Sequence, residues 1–111
     1  MVHGGWKDSL DEYIEDVDSD YFKGIEGQIF LSGHTHIQKI QSLDGKTYCN
    51  PGSVGQPRDG DRRAAYCVLD KDEVKILRVE YDIEMIANKM KYYGFNDYYY
   101  RNLWSGERIG V

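Results

Sequence analysis

The sequence has no apolar run close to the ~20 residues that a membrane-spanning helix needs. Its first residues show neither the basic flank nor the hydrophobic stretch of a secretion signal. Positive charge is not in excess either, because the formal net charge is -5 at pH 7. That balance argues against a general attraction to nucleic acid or to an anionic membrane. These absences predict a soluble cytoplasmic protein.

Cysteine is scarce, with only Cys49 and Cys67 in the chain. Their spacing fits neither a zinc knuckle nor a CxxC redox pair. Both lie in apolar, strand-like segments, where a free thiol behaves as a small apolar side chain. We therefore expect two buried free thiols in a reducing compartment. Neither is a good candidate for a nucleophile, which would need a histidine base beside it.

The first part of the chain carries two recognisable elements. A capping box at Ser9–Glu12 is followed by apolar residues at helical spacing through Val17, which predicts a short amphipathic helix. Residues 28–32 form a short apolar run that ends just before a glycine, which is typical of a buried strand.

Strand patterns dominate the middle of the chain and helical patterns its end. Residues 39–42 and 46–49 flank the turn signal Asp44-Gly45, which predicts a hairpin. Residues 64–69 and 74–81 predict two further strands. A tight loop at 50–55, a helix from Ile83 to about Gly94 and a short aromatic-rich helix at 96–104 complete the expected elements. This order predicts an α+β or layered α/β half.

Histidine, the commonest metal ligand among side chains, occurs only at positions 3, 34 and 36. Each lies beside glycine or in a glycine-led turn rather than on an apolar helical face. On an extended backbone, His34 and His36 would project to the same side and reach one small site at the rim of a sheet. Scattered surface histidines explain this pattern equally well, so the pattern alone leaves metal binding open.

A longer arrangement of motifs separates these readings. The segments Gly33–His36 and Asn50–Arg58 closely resemble the last part of calcineurin-like metallophosphoesterases, in the small bacterial and archaeal branch of that family. Val2–Gly4 resembles the preceding histidine-glycine motif, and residues 64–70 and 78–82 resemble the two closing strands. The order is that of the family, and it extends over nearly the whole chain.

The resemblance implies part of a four-layer α/β/β/α sandwich with two metal ions at the edges of its sheets. It also implies a metal-dependent hydrolase of phosphoric mono- or diesters, with His3 and His34 on one ion and His36 on the other. Mn²⁺ is the expected ion, with Zn²⁺, Fe or Ni²⁺ as alternatives. The residues implied on the substrate side are Asn50, Gly52, Ser53 and Arg58, although a solvated loop charge remains the alternative for Arg58.

The chain also departs from the family in what it lacks. The motifs Asp-x-His, Gly-Asp-x-x-Asp and Gly-Asn-His, which supply the bridging aspartate and the residues for acid-base chemistry, are absent. Without a bridging carboxylate, two divalent ions would repel each other strongly at short range. We therefore expect residues 1–111 to form a single domain, the C-terminal portion of a metallophosphoesterase domain, with only the histidine-donating half of the site.

Three interpretations stay open. The chain is a hydrolase that depends on a missing half, a catalytically inactive binding or assembly module, or a mononuclear zinc site made by His3, His34 and His36. Half a layered sandwich would leave apolar strand faces and edges uncovered. We therefore expect a homo-oligomer, or a pairing with a chain that supplies the N-terminal half.

Overall fold

A three-stranded sheet forms the centre of the computed structural model, which describes residues 1–111. Its strands are β1 (Ile29–Leu31), β2 (Lys39–Leu43) and β3 (Lys46–Asn50), in the order β1-β3-β2. β1 runs parallel to β3, whereas β2 pairs with β3 in the antiparallel sense. The central strand β3 is the most deeply buried of the three, and it leads directly into the following loop.

A second sheet and a few helices follow. β4 (Ala64–Asp70) and β5 (Glu73–Val79) form an antiparallel hairpin. The helix α1 (Ile83–Tyr92) and two 3₁₀ turns, Asp97–Tyr99 and Arg101–Trp104, complete the chain. Sheets with few helices confirm the predicted mixed α/β class. None of the helices has the length and apolar character needed to cross a membrane.

The elements that depend on local rules lie where the sequence predicts them. Leu43 pairs with Lys46, so the β2–β3 loop has two residues, and both Asp44 (φ 44°) and Gly45 (φ 77°) have positive φ. This is the backbone that an Asp-Gly hairpin turn requires. α1 is followed, two residues after its last residue Tyr92, by the positive-φ glycine Gly94, which the sequence predicts at the helix end.

The predicted helix at Ser9–Val17 is wrong, because this segment folds into turns. The Glu12 carboxylate does not cap residue 9; it accepts hydrogen bonds from the Lys7 and Asp8 amides and from the Tyr21 hydroxyl, the last at 2.6 Å. Side-chain acceptors thus bind backbone donors near the start of the segment and offer the chain an alternative to the helix. The segment 96–104 also differs, since it forms two 3₁₀ turns and not one helix.

An aromatic core joins the first part of the chain to the three-stranded sheet. Phe22 and Phe30 stack with ring centroids 4.0 Å apart, and Trp6 packs edge-on against both of them. Tyr48 on β3 closes the cluster together with Ile14 and Val17. These contacts hold the segment that precedes β1 against the sheet, and His3 lies in that segment.

The two cysteines are free thiols in different environments. Cys49 is buried on β3, as expected, whereas Cys67 on β4 is only half-buried. Burial raises the pKa of Cys49 to about 12. At neutral pH this thiol is protonated, so it is a poor nucleophile, in agreement with the sequence expectation.

The β4–β5 hairpin leaves apolar side chains exposed on both of its faces. Half of the surface of Val79 is exposed (50%), and Leu69 is exposed to a similar degree (51%). The other exposed apolar residues of the hairpin are Tyr66, Val68, Ile76 and Leu77. The expectation of uncovered apolar strand faces is therefore confirmed.

Removing the central ring of the core is expected to destabilise the chain strongly. Phe22 is fully buried, so Phe22→Ala should lower the free energy of unfolding by about 3–5 kcal/mol, through lost burial and a residual cavity. Urea denaturation measures this change, with the milder Phe22→Leu alongside because small domains have only ~5–15 kcal/mol in total. Tyr92→Ala is the control, because this aromatic residue is 83% exposed and should shift stability by about 0.5 kcal/mol or less. Equal effects of Phe22→Ala and Tyr92→Ala would contradict the assignment of the core.

Candidate metal centre

His3 and His34 lie side by side just beyond the end of β1. Nε2 of His3 is 3.0 Å from Nδ1 of His34, and the two ring centroids are 4.8 Å apart. The backbone brings the rings together, because the Val2 amide donates to the Leu31 carbonyl (3.0 Å) and the Gly33 amide donates to the His3 carbonyl (2.9 Å). The start of the chain therefore runs along the outer edge of β1.

The pair has a geometry that one divalent ion can use. Two nitrogens 3.0 Å apart can both bind the same ion, because metal–nitrogen distances are about 2.0–2.1 Å. His3 is exposed and His34 partly exposed, so solvent reaches both rings. The pair thus fits two coordination positions of an ion. The chain brings no group of three or more histidine, cysteine, aspartate or glutamate side chains together that could hold a metal.

His36 is oriented by a different contact. Its Nδ1 lies 2.9 Å from the carbonyl oxygen of Gln56. A carbonyl oxygen can only accept, so Nδ1 carries the proton and Nε2 of the neutral ring keeps a free lone pair.

The surroundings of His36 favour this neutral form. Burial has the largest effect on the pKa of His36 and lowers it. The hydrogen bond to Gln56 raises this pKa by less than burial lowers it, and the positive charges of Arg58, His34 and His3 each lower it by a smaller amount. The three imidazoles are therefore near enough for a charge on one to disfavour a charge on another. Because metal ions bind the neutral ring, this environment suits a ligand.

The backbone between the two neighbouring histidines is a tight turn, so the expected extended backbone is wrong. His34 (φ 67°) and His36 (φ 60°) both adopt left-handed conformations, which are uncommon for residues other than glycine. Thr35 between them is buried, and its hydroxyl accepts from the Ile37 amide. Such conformations cost of order 1–3 kcal/mol each and persist only where the surrounding structure holds them.

Asn50 provides part of that surrounding structure. This residue is buried, and its side-chain amide donates to the Gly33 carbonyl (2.8 Å) and to the Thr35 hydroxyl (2.9 Å). Its Oδ1 accepts from the Gly52 amide at 2.9 Å. Asn50 therefore joins the histidine turn to the loop that follows β3. Its amide is occupied by these contacts, so the expected contact with a substrate stays a prediction.

Gly52 and Ser53 shape the same loop against β4. Gly52 has φ 84°, and a Cβ atom there would lie 2.8 Å from the Cβ of Ala65. The Ser53 hydroxyl accepts from the Gln56 amide (2.9 Å), and the Ser53 carbonyl accepts from the Ala65 amide (3.0 Å). Both residues, which the family resemblance implies on the substrate side, thus have structural roles, and their contact with a substrate stays a prediction.

Arg58 is the sequence-predicted substrate residue with an available charge. Its amide donates to the His36 carbonyl at 3.0 Å, which fixes the residue beside the histidine turn. Arg62, Arg63 and Arg78 each have a carboxylate partner, whereas the Arg58 guanidinium has none. A partly exposed cation is therefore available next to His36.

Three contacts at the site carry no sequence signal. Tyr13 packs edge-on against His34 with ring centroids 5.8 Å apart, and Arg108 donates to the Tyr13 hydroxyl at 3.3 Å. The third is the contact of His36 with the Gln56 carbonyl, a backbone group that any residue type would provide. Sequence inspection could not have identified these contacts, because each depends on how distant segments pack.

Comparison with known proteins places this arrangement in a family. Residues 1–74 match the model of the calcineurin-like phosphoesterase superfamily domain. An uncharacterised protein of Methanocaldococcus jannaschii is 33% identical, in an alignment that covers 94% of this chain and 45% of that protein. The chain therefore spans about half the length of this relative.

Solved structures agree with the sequence comparison. A metallophosphoesterase from Sphaerobacter thermophilus superimposes with a TM-score of 0.79 and 27% identity, over 95% of this chain and 54% of that one. A hypothetical protein of Pyrococcus horikoshii has the same fold, with a TM-score of 0.78 and 23% identity over 95% of this chain and 45% of that one. The predicted fold, part of a metallophosphoesterase sandwich, is confirmed.

The close approach of the loop after β3 to β4 can be tested with two glycines of nearly equal backbone conformation. Gly52 (φ 84°) and Gly60 (φ 81°) both have left-handed backbones, but only at Gly52 would a Cβ atom meet another residue. Gly60→Ala should therefore destabilise by about 1–2 kcal/mol through backbone strain alone. Gly52→Ala should lose a further ~1–3 kcal/mol through overpacking. Urea denaturation compares the two variants, and equal losses would show that the loop does not press against Ala65.

Proposed function

Since this chain belongs to the calcineurin-like phosphoesterase superfamily, we propose that it provides the histidine-donating part of a two-metal phosphoesterase centre. The observation that carries this proposal is the 3.0 Å approach of His3 to His34. These two rings would hold one ion, and Nε2 of His36 would bind the other. The remaining ligands would come from residues outside these 111, which correspond to the C-terminal portion of the domain.

The chemistry divides between the ions and the side chains. When bound, two divalent ions polarise the phosphoryl oxygens and neutralise the charge that develops on them. The chain itself would bind and orient: the Gln56 carbonyl fixes the His36 ring, and the Arg58 guanidinium, beside the histidine turn, would hold a phosphate oxygen. The substrate class is a phosphoric mono- or diester.

Mn²⁺ is the ion that we propose for this centre. Imidazole ligands combined with oxygen ligands from carboxylates, water and substrate accept Mn²⁺, Zn²⁺, Fe or Ni²⁺ with modest discrimination. The two imidazoles of His3 and His34 alone set no strong preference among these ions. The missing ligands would therefore contribute most of the selectivity.

A polypeptide that completes the centre would also cover apolar surface. A hollow of about 270 Å³ at the outer edge of β1 is lined by His3, Leu31, Pro51 and Cys67, among others. The exposed apolar faces of the β4–β5 hairpin add further surface of this kind. We propose that a chain supplying the N-terminal half, or a second copy of this chain, covers these surfaces.

One alternative has support from a specific observation. A catalytically inactive assembly module would retain the apolar hairpin surface while lacking a complete metal site, and no three-donor group forms within the chain. The mononuclear zinc alternative needs three histidines around one ion, and that same observation does not favour it.

Metal titration of the isolated chain separates these alternatives. His34→Ala removes one of the paired nitrogens, so binding of the first Mn²⁺ or Zn²⁺ ion should weaken at least about tenfold, which is ~1.4 kcal/mol. His36→Ala is the matched control, because it leaves the His3–His34 pair intact. Isothermal titration calorimetry measures both affinities. Equal losses in the two variants would favour the mononuclear site, and an unchanged affinity in His34→Ala would rule out the pair as a ligand set.

Activity should depend on a partner that carries the missing motifs. Hydrolysis of an aryl phosphate with Mn²⁺ is expected only when the chain is mixed with a polypeptide bearing the absent carboxylate ligands. In that mixture Arg58→Ala should raise KM about 10–100-fold, since a hydrogen bond to a charged group contributes ~1.5–3 kcal/mol. Arg62→Ala is the control, because Arg62 is exposed and already near Glu80.

The same samples test assembly by size-exclusion chromatography. The 12.9 kDa chain alone or in the mixture should elute as a species larger than a monomer. A heat-stable monomer that also remains inactive in the mixture would contradict the completion of the centre by a partner.

A further inference from the structure

A buried asparagine that is far from the histidines in sequence is connected to His36 through one residue. Asn102 lies in the 3₁₀ turn Arg101–Trp104 and is 1% exposed. Its side-chain nitrogen donates to Oε1 of Gln56 at 2.7 Å, across 46 residues of sequence, and to the Glu107 carbonyl at 2.9 Å. Gln56 is the residue whose carbonyl oxygen contacts Nδ1 of His36.

The orientation of the Asn102 amide is fixed by the Glu107 carbonyl. This backbone oxygen can only accept, so the flipped amide would place its own oxygen against it without any hydrogen between. The observed orientation leaves Oδ1 buried without a hydrogen-bond partner. A buried acceptor without a hydrogen bond costs free energy. The hydrogen bonds that Asn102 donates to Gln56 and Glu107 offset this cost.

Gln56 is fixed from two directions. Its backbone amide donates to the Ser53 hydroxyl at 2.9 Å, and its side chain accepts from Asn102. A peptide unit whose neighbouring groups are held in this way cannot rotate freely. The direction of the Gln56 carbonyl is therefore set by the C-terminal turn as well as by the loop itself.

The C-terminal turn is itself packed onto this loop. The Gly60 amide donates to the Gly106 carbonyl at 3.0 Å, and a Cβ atom on Gly106 would lie 2.6 Å from the carbonyl carbon of Asp61. Leu103 beside Asn102 is also buried. The contact between Asn102 and Gln56 therefore lies in a closely packed region between the C-terminal turn and the loop.

We propose that Asn102 is a positioning residue for His36. By holding Gln56, it keeps the carbonyl in line with Nδ1, so that the proton stays on Nδ1 and Nε2 is presented to a metal ion. Groups that orient a metal-binding histidine in this way typically change metal affinity 10–100-fold when they are removed. The role of His36 as a ligand rests on the proposed function, but the orientation of its ring does not. The family model ends at residue 74 and does not include Asn102.

The tautomer of His36 in the metal-free chain tests this inference directly. Long-range ¹H–¹⁵N NMR spectra of the imidazoles should show the Nδ1–H form in the wild-type chain. Asn102→Ala and Gln56→Ala should each give a mixture of tautomers, and the double variant should add nothing, because the two side chains act through one contact. Asn102→Leu has a similar volume but no hydrogen-bonding group, so it should behave like Asn102→Ala.

Leu103→Ala is the matched control. It removes a buried side chain from the same turn, and that side chain cannot hydrogen-bond to Gln56. An unchanged tautomer in this variant, with a change in the Asn102 variants, supports the inference. The inference is overturned if Leu103→Ala alters the tautomer as much as Asn102→Ala, or if folded Asn102→Leu and Gln56→Ala both keep the wild-type tautomer.

A metal titration of the same variants provides the second readout. The affinity of the second Mn²⁺ or Zn²⁺ ion, measured with the completing partner present, should fall about 10–100-fold in Asn102→Ala. If no variant binds metal, the proposed function fails, and the tautomer experiment still decides the inference about Asn102.

Discussion

Two backbone hydrogen bonds along the outer edge of β1 bring together the two histidines of the proposed metal centre. The bonds from Val2 to Leu31 and from Gly33 to His3 hold the start of the chain beside the end of the strand. Trp6, packed into the aromatic core, anchors the segment on its other side. Since His3 and His34 are 31 residues apart, their approach depends on this edge.

The second constraint is the tight turn that carries His34 and His36. Two left-handed residues in one turn are unfavourable, and the hydrogen bonds that the buried Asn50 donates to the Gly33 carbonyl and the Thr35 hydroxyl oppose that strain. Hydrogen bonds in such a low-dielectric environment are stronger than in water, and leaving one unmade is costly. The turn is therefore more rigid than its length suggests. A rigid turn is useful here because a metal site needs its ligands in place before the ion arrives.

The donor set also limits how many ions the isolated chain can hold. Three imidazoles are neutral ligands, so they cannot offset the repulsion between two divalent ions a few ångströms apart, which is large even at an effective dielectric constant of 20. The formal net charge of -5 does not help, because no acidic group joins the histidines in a cluster. A second ion therefore requires a carboxylate from elsewhere. Because the sequence lacks the bridging aspartate, the repulsion between two bound divalent ions would not be offset by this chain.

The turn and the helix end could be predicted from sequence because they depend on neighbouring residues. The arrangement of the candidate metal centre depends on contacts between distant segments, so it could not. The turn at Asp44-Gly45 and the end of α1 at Gly94 depend on a few neighbouring residues, so the sequence alone identified them. The helix expected from Ser9 did not form because Glu12 binds backbone amides and the distant Tyr21. The contact between Gln56 and Asn102 spans 46 residues and belongs to no motif. The three metal-binding candidates came from the family resemblance, and only their packing revealed that His36 is held by a backbone carbonyl.

The proposed metal centre and the uncovered apolar hollow lie next to each other, because His3 lines both. The hollow beside His3 is largely apolar in its lining and extends from Leu31 to Cys67 on the second sheet. Any polypeptide that fills it would lie directly against His3, where a carboxylate is needed. Burial of apolar surface would then supply the binding free energy, and the carboxylate would supply the charge that two ions require. On this view, docking and completion of the metal centre are one event, so a partner that covers the hollow without donating a carboxylate would stabilise the chain but leave it inactive.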